Sequence, residues 1–227
     1  MNLNTISEQL LLQVKLKKPV NDIVYLLANY SNKNIVLNLK TDQQKKAFWI
    51  NIYNAFYQII ALNNKTSSKK IFNVSNIKIG SFQLSLDDIE HGILRQFKSK
   101  YSLGFIRQFN PNSNLKKLVV NQLDYRIHFA LNCGAKSCPP ISFYTSSLID
   151  EELNTSTISF LETDVYFDKT KQVVQMSRLF LWFYADFGKK KGINSIILKY
   201  LNQDISQFKI KYKSYDWSKD LHNFKCT

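Results

Sequence analysis

Apolar residues recur at helical spacing through the first third of the chain. The pattern predicts helices over 5–16 and 20–30, followed by a third helix that ends near residue 63. Thr41 and, three residues later, Gln44 have the form of a capping box for this third helix. Its apolar side chains surround most of the helix axis, so we expect it to be buried on nearly all sides.

Further along the chain, apolar and polar positions alternate over short segments, as is typical of β-strands. Hairpins are predicted at 76–85 and 164–176, and single strands at 117–121, 125–132 and 207–213. Helices come first and strands mostly later, which is the order expected of an α+β protein. We therefore predict a single α+β domain with N-terminal helices, a central buried helix and a mixed or antiparallel sheet.

The sequence predicts three further helices, at about 85–98, 177–187 and 193–201. Ser85, with Asp88 three residues later, supplies the cap of the first of them.

The chain is expected to divide into a small and a large part. Residues 1–40 form an N-terminal helical segment that packs on the main domain, residues 41–227. Residues 65–70 are expected to form a polar loop.

Composition narrows the class of partner. The formal net charge is +14, which raises the question of nucleic-acid binding. However, only four of the 31 basic residues are arginine, and the lysines are scattered along the chain, which argues against a nucleic-acid partner.

The apolar runs in the sequence are shorter than the ~20 residues that a membrane-spanning helix needs. With no signal peptide apparent and three cysteines, too few for a disulfide framework, a cytoplasmic location is expected.

The predicted helix at 85–98 carries charged groups in an unusual place. At 100° per residue, Glu90 falls within the apolar stripe of the helix, and His91 lies at its edge, one turn after Asp87 and one turn before Arg95. A carboxylate that faces a core is costly unless it is paired or protonated. Glu90 is therefore either a tuned acid/base or a group that pins the helix by pairing with an arginine. For His91, a bond to Asp87 is the simpler alternative.

The predicted strand at 125–132 has a polar face. Period-two alternation puts Arg126, His128 and Asn132 on one side and the apolar residues on the other. A solvent-exposed face would explain this pattern, but Ala130 and the apolar surroundings favour a row of residues that faces a site. Arg126 would then bind an anionic group.

A cysteine-containing turn, Asn132-Cys133-Gly134-Ala135-Lys136-Ser137-Cys138-Pro139-Pro140, follows directly. One cysteine could be a nucleophile with a neighbouring histidine as its base. In an extended strand, His128 and Cys133 would be about 16 Å apart at ~3.3 Å per residue, so Cys133 would need His91 whereas Cys138 could fold back toward His128. The alternatives are a zinc site built from the cysteines with His91 and His128, and a redox or purely structural cysteine pair.

Amides on the predicted central helix are further candidates for the same site. Asn51, Asn54 and Gln58 are three and four residues apart, so they share a face of the helix. Amides on a buried helix must be hydrogen-bonded, and they either line the site or tie the helix to neighbouring loops.

Five segments together resemble a known family, the domain of unknown function 547 family. They are FWINIYNAF (48–56), LDDIEHGILR (86–95), DYRIHFALNCGAKSCPPI (124–141), LFLWFYADF (179–187) and YDWSKDLHNF (215–224). The resemblance covers about residues 40–225, although the family usually has proline at the position of Tyr125 and asparagine near Lys219. It implies that the acidic helix and the cysteine turn belong to one module, and it brings no established reaction or cofactor.

Together these patterns lead to the hypothesis of a thiol-dependent hydrolase or acyl transferase that acts on a small-molecule or peptide substrate. No cofactor and no metal ligand is assigned. The alternatives are a non-catalytic binding or scaffold module, in which the same residues are structural, and a zinc site. The catalytic candidates are Cys133, Cys138, His128, His91 and Glu90, and the substrate-binding candidates are Arg126, Asn132, Asn51 and Asn54.

Overall fold

The computed structural model describes residues 2–63 and 71–225 of the chain, so the predicted polar loop at 65–70 lies outside the described residues. The α-helices are α1 (Leu3–Lys15), α2 (Asn21–Ala28), α3 (Asn32–Asn38), α4 (Asp42–Asn63), α5 (Ile149–Asp164), α6 (Leu179–Trp182) and α7 (Lys189–Leu201). The strands are β1 (Ile77–Ile79), β2 (Phe82–Leu84), β3 (Tyr166–Asp168), β4 (Val173–Met176) and β5 (Lys209–Tyr212). A π-helix spans Asp88–Leu94, and two 3₁₀-helices span Ser113–Lys117 and Tyr125–Phe129.

The long helix α4 is the centre of the fold, as predicted. The N–H of Gln44 donates to Thr41 Oγ1 over 3.2 Å and the N–H of Thr41 donates to Gln44 Oε1 over 3.1 Å, which is the predicted capping box. Phe48 and Trp49 are fully buried, and so are residues on the other faces of the helix. Helix α1 packs along α4 and contributes Leu3, among others, to the same core.

Two small sheets flank the helices, and the predicted α+β single domain is confirmed. Strands β1 and β2 form the predicted hairpin. Strands β3 and β4 form the second hairpin, and β5 pairs with β4 in parallel, so the larger sheet is mixed. A second group of buried aromatic and aliphatic side chains lies between this sheet, α5 and α7.

The predicted strands at 117–121 and 125–132 are wrong. The second segment forms a 3₁₀-helix, Tyr125–Phe129, that begins where the Asp124 carboxylate accepts the N–H of Arg126. A side-chain acceptor of this kind satisfies a free N–H at a helix start, which favours a helical turn over extended backbone. The apolar alternation therefore reports burial of Ile127 and Phe129 rather than a strand.

The predicted helix at 85–98 is shorter than expected and is wound differently. The N–H of Arg95 donates to the carbonyl of Glu90 and that of Phe97 donates to Gly92, five residues back in each case. Gln96 and Phe97 then take positive φ angles, 54° and 60°, which end the helix before Lys98. The Ser85–Asp88 cap is present as predicted.

The predicted helix from residue 177 to 187 is regular only as far as Trp182. The cap is confirmed, because the N–H of Leu179 donates to Ser177 Oγ over 3.2 Å. The chain then continues in turns to Gly188, whose φ of 76° ends the segment.

Within residues 2–63 and 71–225, no helix combines the length and the apolar character that a bilayer crossing requires.

Candidate active site

A cavity of about 360 Å³ lies where the π-helix, the 3₁₀-helix at 125–129 and the cysteine turn meet. It is lined by five residues that the sequence singles out, Glu90, His91, His128, Cys133 and Cys138. Aromatic and aliphatic side chains form most of the remaining wall, among them Phe72, Leu131, Leu179, Trp182, Phe183 and Trp217. The structure thus brings the acidic helix and the cysteine turn to one hollow.

Glu90 lines the cavity, and within the described part of the chain it has no arginine partner. The phenol of Tyr53 donates to Glu90 Oε2 over 3.1 Å. Burial, and after it the charge of Glu90, raises the pKa of Tyr53, so the phenol stays protonated and remains a donor. The hypothesis that Glu90 pins the helix through a buried arginine is therefore wrong.

His91 is held as a neutral ring. Arg95 Nη1 lies 2.7 Å from His91 Nδ1, and a guanidinium can only donate, so Nδ1 is the acceptor. The hydrogen is then on Nε2, 3.6 Å from Asp87 Oδ1, the partner considered in the sequence analysis. Burial and the charge of Arg95 lower the pKa of His91 to about 3. With Nδ1 occupied, His91 offers the cavity no free basic nitrogen.

His128 has the opposite arrangement. Its Nε2 lies 3.0 Å from Asp186 Oδ2, so the ring donates to the carboxylate and carries its hydrogen on Nε2. Nδ1 is buried and has no hydrogen-bond partner among the described residues. The ring stacks on Phe183, with 3.8 Å between centroids and 13° between planes. Burial lowers the pKa of His128, which leaves Nδ1 as an oriented, unprotonated base.

Asp186 is a functional candidate that the sequence analysis missed. Its side chain is fully buried and accepts from Arg95 Nε over 2.6 Å and from Lys98 Nζ over 2.9 Å, in addition to His128. Although burial opposes it, hydrogen bonding to His128 and Arg95 holds the pKa of Asp186 well below its usual range. An acidic residue within the aromatic segment 179–187 is the signal that could have indicated it.

The cysteine turn is built on Gly134. This residue has a φ of 70°, and a Cβ at its position would lie 2.4 Å from the ring of Tyr57, so the turn requires glycine. Within the turn, the N–H of Cys133 donates to Cys138 Sγ over 3.1 Å. The phenol of Tyr215 lies 3.2 Å from the same sulfur and 3.8 Å from Cys133 Sγ.

These contacts make the two cysteines unequal. The thiol of Cys133 donates toward Cys138, and this bond together with burial raises the pKa of Cys133 well above its usual range. Burial also opposes ionisation of Cys138, but the bonds from Cys133 and Tyr215 outweigh it and lower the pKa of Cys138. Cys138 is therefore the better thiolate, although Cys133 is the more exposed of the two.

A C-terminal segment covers the turn, and its contribution was also not predicted. The N–H of Asp220 donates to the carbonyl of Gly134, and the N–H of Lys136 donates to that of Ser218. This pairing brings Tyr215 to the sulfurs and packs it against Trp182 and Trp217, with centroids 4.8 and 4.7 Å away. Sequence spacing cannot show this contact, because about 80 residues separate Tyr215 from the cysteines.

The family model described as "Protein of unknown function, DUF547" matches residues 36–161, more than half of the chain. The chain belongs to the DUF547 family. The matched range contains the π-helix, His128 and the cysteine turn, whereas Asp186 and Tyr215 lie beyond it. No curated protein and no solved structure matches the chain.

In this DUF547 member, Arg126 does not line the cavity. Its guanidinium binds Asp124 Oδ2 and Asp150 Oδ1, each over 2.6 Å, and donates to Asn154 over 3.0 Å. Strand alternation had put Arg126 and His128 on one face, but the helical turn at 125–129 separates them. Arg126 holds α5 to the 3₁₀-helix and is not available to an anionic group in the cavity.

The amide candidates also bind the backbone rather than line the cavity. Asn51 bonds both backbone groups of Tyr144, and Asn54 joins the carbonyl of Ala130 to the N–H of Asn132. Asn132 in turn accepts the N–H of Gly134 and donates to the carbonyl of Pro139. Asn54 therefore connects α4 to the start of the cysteine turn, Asn132 sets the shape of that turn, and Asn51 ties α4 to the chain beyond it. Among the residues that the structure describes, no group of three or more His, Cys, Asp or Glu side chains is arranged to hold a metal ion.

Proposed function

We propose that this chain is a thiol-dependent acyl-transfer enzyme, a hydrolase or acyltransferase, with Cys138 as nucleophile and His128 as base. One observation carries the proposal. Asp186 fixes the Nε2 hydrogen of His128, while Nδ1 stays buried and unpartnered among the described residues on a cavity that both sulfurs line. A nucleophile, a base and a group that orients the base are the parts that such chemistry needs.

The surroundings of Cys138 support its role as nucleophile. The N–H of Cys133 and the phenol of Tyr215 both donate hydrogen bonds to its sulfur. Donors of this kind stabilise a thiolate, and burial raises the pKa of Tyr215, so the phenol keeps its hydrogen at neutral pH. Cys133 is the supporting residue, because its own thiol stays protonated.

The reaction would run in two steps. In the first, the Cys138 thiol proton passes to Nδ1 of His128 and the sulfur bonds the acyl carbon. The bond between that carbon and the departing group breaks, and the departing group takes the proton from Nδ1. In the second, Nδ1 removes a proton from water or another acceptor, whose oxygen bonds the acyl carbon while the carbon–sulfur bond breaks and the proton returns to sulfur. Because Nδ1 bonds neither sulfur in the free protein, substrate or water must bridge them in the first step.

The wall of the cavity favours an apolar acyl group. Phe72, Leu131 and Leu179 offer aliphatic and aromatic surface, and Trp182 and Trp217 also line the cavity.

The catalytic thiol must stay reduced, so we place the activity in the cytoplasm.

The proposal is tested with activated esters. The full-length protein is incubated with p-nitrophenyl acetate, butyrate and benzoate, and intact-mass spectrometry with peptide mapping identifies the acylated residue. We expect an acyl adduct on Cys138, absent from Cys138→Ala. His128→Asn should still be acylated, because p-nitrophenolate leaves without a proton, but its adduct should hydrolyse about 100-fold more slowly or worse.

Two controls make the test specific. Cys133→Ala removes the neighbouring thiol and should keep the adduct on Cys138, and His222→Asn changes a histidine outside the cavity lining and should deacylate like the wild type. If no ester acylates Cys138, or if His128→Asn and His222→Asn deacylate at the same rate, the enzyme proposal fails and the residues act as a scaffold.

A further inference from the structure

An ordered loop next to the cavity exposes large apolar side chains. We call residues 99–109 the apolar loop. Tyr101 is 85% exposed, Phe105 53%, Ile106 65% and Phe109 fully exposed. Several large apolar groups on one short segment are unusual for a surface that meets only water, and they mark an interaction site.

The loop is held by hydrogen bonds, so the exposure belongs to a defined surface. The N–H of Ser99 donates to the carbonyl of Ile106 over 2.8 Å, and the N–H of Ala185 donates to that of Leu103 over 2.9 Å. Gly104, with a φ of 83°, lies against the Asp186 carboxylate, where a Cβ would be 2.4 Å from Oδ1. The backbone is anchored to the site while the side chains point away from the core.

The surroundings of the apolar loop are basic. The sequence has no acidic residue from 91 to 123. Arg107 within the loop is exposed, and so are the three lysines 189–191. Lys189 Nζ lies 5.5 Å from the centroid of the Phe105 ring, so the first of these lysines adjoins the apolar groups. Apolar side chains beside a cluster of lysines are the combination that binds the interface of an anionic bilayer.

We propose that the apolar loop and the lysines 189–191 dock on the surface of an anionic lipid bilayer, with Phe105 and Ile106 entering the acyl boundary. A symmetric contact with a second copy would set the same basic groups against each other, which disfavours that occupant. Single-stranded nucleic acid would use the aromatic rings for stacking but gains little from aliphatic Leu103 and Ile106.

The position of the loop relates docking to the cavity. Tyr101 and Lys100 line the cavity as well as belonging to the apolar loop, and the exposed Trp217 also lines it. Tyrosine and tryptophan are the residues that collect at the level of lipid headgroups. A docked protein would therefore have its cavity close to the bilayer surface. The docking surface itself does not depend on the proposed acyl-transfer activity.

Vesicle sedimentation of the full-length protein tests the proposal. Vesicles of phosphatidylcholine alone are compared with vesicles that also contain phosphatidylserine. We expect binding to the anionic vesicles that weakens as salt increases, and much weaker binding to the neutral ones. The double variant Phe105→Gln and Ile106→Gln should weaken anionic-vesicle binding by about tenfold or more, because the inserted apolar area is lost.

Matched variants separate this surface from general effects. Tyr25→Gln with Leu26→Gln changes an aromatic and an aliphatic residue on α2 that are 72% and 43% exposed, and it should leave binding unchanged. Replacing the lysines 189–191 by glutamine should weaken binding by about tenfold or more and reduce its salt dependence. The same charge change at Lys171 in the β3–β4 turn and at Lys209 and Lys211 on β5 should have a much smaller effect.

The proposal is overturned if the protein ignores anionic vesicles, or if both apolar double variants bind them equally well. It is also overturned if the Phe105/Ile106 variant changes only self-association in sedimentation velocity, or only the binding of a single-stranded oligonucleotide. Thermal unfolding of each variant confirms that it is folded, and acylation by p-nitrophenyl acetate reports separately on the active-site proposal.

Discussion

His128 donates its Nε2 hydrogen to Asp186 Oδ2 across 3.0 Å. This one bond fixes the tautomer of the ring and leaves the lone pair of Nδ1 without a partner in the described part of the chain. The same carboxylate accepts from Arg95, which in turn donates to His91. One buried acidic residue thereby connects both cavity histidines. It orients His128 so that Nδ1 stays free, and it holds the Arg95 guanidinium that occupies Nδ1 of His91.

Asp186→Asn should destabilise the protein strongly. The carboxylate and its partner Arg95 have fully buried side chains, and removing one charge of a buried pair costs about 3–5 kcal/mol of unfolding free energy. Urea denaturation at neutral pH measures the change. Asp168→Asn removes an acidic residue whose lysine partner is 78% exposed and should have no measurable effect. Equal stability of the two variants would contradict the buried network.

Stability should fall as the solution is acidified below about pH 6.5. Folding lowers the pKa of His91 from 6.5 to about 3, so between these values the unfolded chain binds a proton that the folded chain does not. The stability that comes from keeping His91 neutral is therefore fully present above pH 6.5 and is lost progressively as the pH falls toward 3. Lowered carboxyl pKa values, such as that of Asp124 at about 2, act only below about pH 3.8.

Denaturation between pH 7 and 4.5 measures this effect above the range in which the lowered carboxyl pKa values act. Burial raises the carboxyl pKa values of Glu8, Glu152 and Asp164, which opposes the effect in this range, so the wild type is compared with a variant that lacks the histidine. The variant His91→Gln should be less stable at pH 7 but should show a flatter dependence on pH, because one titrating group has been removed. If the stability of His91→Gln depends on pH as steeply as that of the wild type, His91 is not held neutral in the folded protein.

Glu90→Gln should cost little stability, at most about 1 kcal/mol. The carboxylate accepts from Tyr53, and the glutamine oxygen can accept the same hydrogen bond. A double-mutant cycle with Tyr53→Phe measures the coupling between the two side chains. A loss of several kcal/mol in Glu90→Gln alone would mean that Glu90 pairs with a buried cation.

Tyr215→Phe should make Cys138 less acidic. The substitution removes a phenol 3.2 Å from the sulfur, so the pH profile of alkylation by iodoacetamide should move up by about one pH unit. Peptide mass spectrometry follows the rate at each cysteine. Tyr53→Phe is the control, because its phenol bonds Glu90 and should leave the profile in place. No difference between the two variants would remove Tyr215 from the thiolate site.

Gly134→Ala should destabilise the cysteine turn. The φ of 70° is costly for alanine by about 1–3 kcal/mol, and the added carbon would also meet the ring of Tyr57. Gly92→Ala is the matched control, since a Cβ there meets its nearest neighbours at 3.8 Å in a helical conformation. Thermal unfolding should separate the two variants, and equal melting temperatures would show that the turn is not constrained.

Local patterns in the sequence determined much of the fold. The central helix, its capping box and both hairpins were predicted from spacing alone, because each depends on neighbours within a few residues. The same local information identified Glu90, His91 and the cysteines as candidates, and in the structure they line one cavity. Local patterns were misleading at 125–132. The apolar alternation there is typical of a strand, but the Asp124 cap starts a 3₁₀-helix instead.

Only the tertiary structure decided which hydrogen bonds the candidates make. Asp186 lies 58 residues from His128 and Tyr215 lies 77 residues from Cys138, so nothing in local spacing connects them. The proposal of His128 rather than His91 as base likewise depends on which nitrogen meets a guanidinium and which meets a carboxylate. A protonation state follows from the charges packed around a group, and those charges come from segments that the chain brings together only when it folds.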